Sequence, residues 1–212
     1  MTTANLRDRL RLIVITDADI AKPRTVLDVV QAAVSAGAPS IQLRDKTAPA
    51  RELAATGRAL LPLTRAAGAL LFINDRLDVA LAIGADGVHV GPDDIPVAAI
   101  RPIVPKRFLI GTSTDDPEEA HRLVSEGADY LGCGTVYRTA TKSDAGEAIG
   151  IDRLEQVILA VDVPVVGIGG VTVVRSREIA DETGAAGVAV IRAVMGAPDP
   201  SEAVRALLRP FS

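Results

Sequence analysis

Eight short aliphatic runs, spread evenly along the 212-residue chain, constrain its fold more than any other feature. They lie at 12–15, 40–43, 70–73, 87–90, 108–110, 129–133, 165–168 and 187–191. Unbroken apolar stretches of this length are what strands covered on both faces look like, whereas a strand with one wet face alternates. The intervening segments carry helical patterning. Residues 25–36 place Val26, Val29, Val30, Ala33 and Val34 on one stripe, and 51–67 does the same with Leu53, Leu60 and Leu61. The segment 116–126 opens with Asp116 and Pro117, an N-cap followed by proline at the first helical position. Four helix-to-strand turns use nearly the same words, AGAPS, IGADG, EGADY and TGAAG, each with a glycine suited to a left-handed stop.

Strand then helix, repeated eight times without a linker-like or low-complexity stretch, predicts a (β/α)8 TIM barrel, a single compact domain over residues 1–212. A doubly wound open sheet is the weaker reading, because no GxGxxG follows the first strand.

The chain is 48% apolar with 3 Phe, 2 Tyr and no Trp, so the core is almost purely aliphatic. That composition excludes a disordered chain. With 23 basic against 27 acidic residues the net charge is −4, which offers no electrostatic footprint for nucleic acid. Few aromatics leave little for base stacking, so the expected partners are small molecules. Cys133 is the single cysteine, as in a reducing compartment. The first apolar run is too short for a signal-peptide core, and no stretch reaches the ~18 apolar residues a membrane span needs. A cytoplasmic protein without membrane or nucleic-acid partners is expected, and a homo-oligomer is compatible with the sequence.

In such a barrel the chemistry sits at the C-terminal ends of the strands. Those ends are unusually polar here: Gln42-Leu43-Arg44-Asp45-Lys46, Asn74-Asp75-Arg76, Gly91-Pro92-Asp93-Asp94, Gly111-Thr112-Ser113-Thr114, Thr139-Ala140-Thr141-Lys142 and Gly167-Ile168-Gly169-Gly170. Alternation points Gln42 and Arg44 the same way and Leu43 toward the helices. Arg44, Lys46 and Lys142 supply cations. Asp75 and Asp94 are candidate Mg²⁺ ligands, since that ion is held by one or two carboxylates plus waters and substrate phosphates; taken alone, they could equally be helix N-caps. The glycine turn is a second candidate anion site. Two phosphate sites predict two phosphorylated substrates and a transfer between them.

These residues resemble a known family. The segments LIVITD, IQLRDK, FINDRLDVALAIGADGVHVGPDD, IGTSTDDPEEA, GADYLGCGTVYRTATKSD, PVVGIGGV and GVAVIRAV are similar to thiamine-phosphate synthases from the first strand to the last. In that family the thiazole nitrogen of hydroxyethylthiazole phosphate, in plain or carboxylated form, displaces pyrophosphate from 4-amino-2-methyl-5-hydroxymethylpyrimidine diphosphate. The resemblance implies that Gln42, Arg44, Lys46, Asn74, Ser113 and Lys142 contact the pyrimidine diphosphate, with Arg44, Lys46, Ser113 and Lys142 catalytic. It implies Asp75 and Asp94 as Mg²⁺ ligands, and Thr139, Thr141, Gly170, Ile191 and Arg192 around the thiazole phosphate. Asp45 and Ala140 complete the expected binding set.

A carbon beside an electron-rich aminopyrimidine tolerates positive charge as pyrophosphate departs, so no protein nucleophile is needed, and electrostatics with proximity carry the rate. No Ser-His-Asp triad is expected, because His89 and His121 fall on a strand and a helix. His89 reads as a satisfied interior histidine and Cys133 as an inert buried thiol. Phe72 is expected near the site, and the connection 135–150 reads as a lid. Three positions depart from the family pattern: Arg138 stands where proline is usual, Arg192 where serine is common, and Asp115 where a histidine often follows. The missing histidine weighs against the related thiazole tautomerases, an isomerase reading; a non-catalytic thiazole phosphate binder is the other alternative.

Overall fold

The computed structural model describes residues 3–139 and 147–211. Its eight strands are β1 (Leu12–Ile15), β2 (Ser40–Leu43), β3 (Leu70–Asn74), β4 (Gly87–Val90), β5 (Leu109–Ser113), β6 (Tyr130–Cys133), β7 (Val165–Ile168) and β8 (Gly187–Val190). All neighbours pair parallel, and β8 returns to β1, closing the barrel. Helices follow the strands; the three anticipated from patterning run Val26–Ser35, Ala50–Ala66 and Pro117–Ser125. Among the described residues, no helix is long and apolar enough to cross a membrane.

Two of the repeated turn words do identical work. The Asp86 carboxylate accepts the Leu71 N–H at 2.8 Å, and that of Asp129 accepts the Ile110 N–H at 2.7 Å, so each ties its turn to the preceding strand. Arg101 donates to Asp129 from the other side at 2.5 Å. Asp129 and Phe108 thus lie just outside the strands expected to contain them, and Ile191 lies just beyond β8. Three of the four turn glycines take the left-handed conformation, Gly37, Gly84 and Gly127, with φ of 98°, 70° and 107°. Gly184 does not: there the helix ends in an extended Thr183, whose hydroxyl donates to the Ile179 carbonyl and accepts the Ala185 N–H.

Inside the barrel, glycines make room for rings. Phe72 on β3 and Tyr130 on β6 are fully buried, with centroids 5.2 Å apart. A Cβ on Gly111 would lie 2.1 Å from the Tyr130 ring, and one on Gly87 would lie 2.9 Å from Phe72. Phe72 is therefore part of the plug beneath the site and does not line it. Gly111→Ala is expected to destabilise the fold by about 1–3 kcal/mol through overpacking. It should lower the urea midpoint without changing the slope; an unchanged midpoint would mean the Tyr130 ring moves aside freely.

Candidate active site

The C-terminal ends of the strands open into a cavity of about 1050 Å³. Its wall includes Gln42, Arg44, Lys46, Asn74, Asp75, Asp94, Ser113, Thr139, Gly170, Ile191 and Arg192, residues from separate strand ends that barrel closure brings together. Asp45 is not part of the wall. Its carboxylate instead accepts the Thr47 and Ala48 N–H groups and the Thr47 hydroxyl, shaping the loop after β2. Ala140, Thr141 and Lys142 lie outside the described residues, as does much of the connection expected to act as a lid. The ends of that connection are fixed: Val136 and Tyr137 donate their N–H groups to the Ile168 and Gly169 carbonyls of β7 and its turn.

Asp75 and Asp94 face one another. Neither caps a helix: Leu77–Ile83 is preceded by Arg76, and Val97–Ile100 by Pro96. Asp75 is held in the left-handed region at φ 63°, unusual for a residue with a side chain, and its N–H donates to the His89 carbonyl at 2.8 Å. Asp94 accepts the Gly91 N–H at 2.7 Å, which holds the turn after β4. Burial, a hydrogen bond to Asp94 and the Asp94 charge raise the Asp75 carboxyl to about 6, while Lys46 and Arg44 pull it down. Two carboxylates sharing a half-buried space beside two cations form a site where added positive charge is favourable. Among the described residues no group of three or more His, Cys, Asp or Glu is arranged to hold a metal ion.

The opposite wall is the turn after β7. Gly169 and Gly170 are both left-handed, at φ 99° and 63°. Side chains there would also collide: a Cβ on Gly169 would lie 2.8 Å from the Thr135 Cα, and one on Gly170 would lie 2.7 Å from the Tyr137 carbonyl. The turn feeds the helix Val173–Glu182, whose first turn borders the cavity and whose N-cap is Thr172. Arg175 donates to the Gly170 carbonyl at 2.7 Å and stacks 4.5 Å from the Tyr137 ring centre, while the Tyr137 hydroxyl donates to Glu178 at 2.8 Å. This brace was not apparent in the sequence.

The strand position of His89 does not keep it from the site's serine. His89 lines the cavity, with Nε2 2.8 Å from the Ser113 Oγ and Nδ1 3.0 Å from the Tyr130 hydroxyl. The histidine is satisfied, as expected of an interior residue, yet it belongs to the wall. Cys133 is buried and its thiol is pushed up to about 12, chiefly by burial, consistent with an inert side chain.

A closed parallel barrel with paired carboxylates, cations and a glycine turn around one mouth defines a (β/α)8 protein with a charged cleft at the C-terminal ends of its strands. The family model described as thiamine monophosphate synthase matches residues 12–194, and the chain belongs to that family. It is 52% identical over 194 residues to the thiamine-phosphate synthase of Roseiflexus castenholzii, a match covering 92% of this chain and 85% of that protein. The solved thiamine phosphate pyrophosphorylase of Pyrococcus furiosus superposes with a TM-score of 0.89 at 44% identity, covering 98% of each chain. A 3-hexulose-6-phosphate synthase aligns at TM-score 0.68 but only 18% identity, covering 95% of this chain and 100% of that one, a likeness of fold alone.

Proposed function

We propose that this chain condenses 4-amino-2-methyl-5-hydroxymethylpyrimidine diphosphate with hydroxyethylthiazole phosphate, releasing pyrophosphate and forming thiamine phosphate. One observation carries this reading: a single cavity has Asp75, Asp94, Arg44 and Lys46 on one wall and the Gly169–Gly170 turn on the other. Asp75 and Asp94 would hold Mg²⁺, which neutralises charge on the diphosphate when bound. Arg44, Lys46 and Lys142 stabilise the departing anion, and Ser113 orients it by a hydrogen bond. The glycine turn, the first turn of Val173–Glu182 and Arg192 hold the thiazole phosphate in line with the electrophilic carbon. Asn74 and Gln42 line the same cavity and would meet the pyrimidine's polar edge.

Incubation with both substrates and Mg²⁺ should yield thiamine phosphate by mass spectrometry, and neither substrate alone should. Absence of that product from the complete mixture would sink the reading. Arg192→Ala should weaken thiazole phosphate binding and flatten its dependence on salt, because a surface-accessible cation is screened. An unaltered salt dependence would place Arg192 outside the phosphate site.

A further inference from the structure

The group behind Ser113 is a hydrogen-bonded line running into the barrel's floor, and each link has a definite geometry. His89 Nε2 lies 2.8 Å from the Ser113 Oγ, and Nδ1 lies 3.0 Å from the Tyr130 Oη. Gly132, the β6 residue beside Ser113 in the ladder, leaves the space this line occupies: a Cβ there would sit 3.3 Å from the imidazole and 3.4 Å from the serine oxygen. Tyr130 is fully buried, which holds its phenol neutral, and its hydroxyl has His89 Nδ1 as hydrogen-bond partner.

A neutral phenol has one proton to give. Buried, that O–H needs an acceptor, and the one beside it is His89 Nδ1, which must then be the bare nitrogen of a neutral imidazole. The imidazole proton therefore sits on Nε2 and is donated to Ser113, leaving the serine's own proton pointing into the cavity. The reverse polarity would turn Ser113 into an acceptor that presents lone pairs to the site. On a wall that gathers Arg44 and Lys46 for an anion, such an acceptor would oppose the charge that the cations attract.

We propose that His89 and Tyr130 are positioning residues: they lock one imidazole tautomer so that Ser113 acts solely as a hydrogen-bond donor to the leaving pyrophosphate. This rests on the reading of the reaction given above, but its first test does not. In the full-length wild type, ¹⁵N NMR of the His89 ring distinguishes a protonated Nε2 from a protonated Nδ1 without any substrate or turnover. A single tautomer with the proton on Nε2 is expected. A proton on Nδ1, or a mixture of tautomers, would overturn the proposal even if the protein makes thiamine phosphate.

The kinetic test uses non-additivity. Ser113→Ala is expected to lower kcat by about 10²-fold, the effect of losing one preorganised donor. Tyr130→Phe removes the lock while keeping the ring's bulk; it should lower kcat by about 10-fold with little change in KM, and its His89 spectrum should become a tautomer mixture. His89→Gln, whose amide N–H can still reach Ser113, should retain more activity than His89→Leu. Combined with Ser113→Ala, Tyr130→Phe should cost nothing further, because it acts only through the serine. Losses that multiply in the double variant would show that Tyr130 supports the fold rather than the serine, and would overturn the proposal.

Discussion

Asp94→Ala is expected to lower pyrophosphate release by about 10²–10³-fold and to remove most of its response to Mg²⁺, the scale of loss seen when a preorganised charge-stabilising group is deleted. Two effects converge on this one carboxylate. It shares a half-buried space with Asp75, where two negative charges are tolerated only with positive charge nearby, and it also holds the turn after β4 through the Gly91 N–H. Asp94→Asn separates them, since an amide can still accept from Gly91 but brings no charge for a cation. Asp94→Asn matching the alanine variant would assign the loss to charge, and wild-type Mg²⁺ dependence in both would remove Asp94 from the ion's ligands. At Asp75 the informative variant is asparagine, because φ 63° suits Asn far better than alanine.

The second large effect is expected at Arg44. Its backbone is clamped to Thr16, which is itself buried: the Thr16 hydroxyl accepts the Arg44 N–H at 2.9 Å and donates to the Arg44 carbonyl at 3.2 Å. The guanidinium therefore starts from a fixed point at the cavity wall. Arg44→Ala should lower kcat/KM by about 10²–10³-fold through loss of leaving-group stabilisation. Lysine at this position restores charge without the planar fork that matches phosphate oxygens, so Arg44→Lys should recover only part of the loss. Full recovery in Arg44→Lys would mean that net charge alone matters here, and little loss in Arg44→Ala would move the leaving group elsewhere on the wall.

Much of this architecture is legible in the sequence because a parallel barrel has a strong local signature. The runs at 12–15, 40–43, 87–90 and 165–168 coincide with β1, β2, β4 and β7. Alternation alone pointed Gln42 and Arg44 into the barrel, and both line the cavity. The disagreements arise where a side chain replaces a backbone partner. Asp129 reads as the start of a strand, but its carboxylate takes the Ile110 N–H and Arg101, so the ladder begins one residue later. Gly184 reads like its three counterparts, but the Thr183 hydroxyl supplies the stop.

At the site, what eluded the sequence is contact between inward-facing side chains on different strands. Periodicity assigns a side chain to a face; closure and register decide which of them meet. His89 pairs with Gly111 and Ser113 with Gly132, so the small residues of β5 and β6 let a histidine, a serine and a tyrosine from three strands touch. The odd histidine between Val88 and Val90, together with glycines at 111 and 132, was the available signal. Arg175 carried no comparable mark, and only the fold lays it across Tyr137 and the Gly170 carbonyl.

The central claim is that one cavity brings a Mg²⁺-bound diphosphate and a second phosphorylated substrate together for transfer. Pyrophosphate release tests it most directly, measured with both substrates, with each alone, and with both after Mg²⁺ is chelated. Rapid release only in the complete mixture, equal to the thiamine phosphate formed, is the predicted result. Release unaffected by chelation, or the same without the thiazole phosphate, would contradict it.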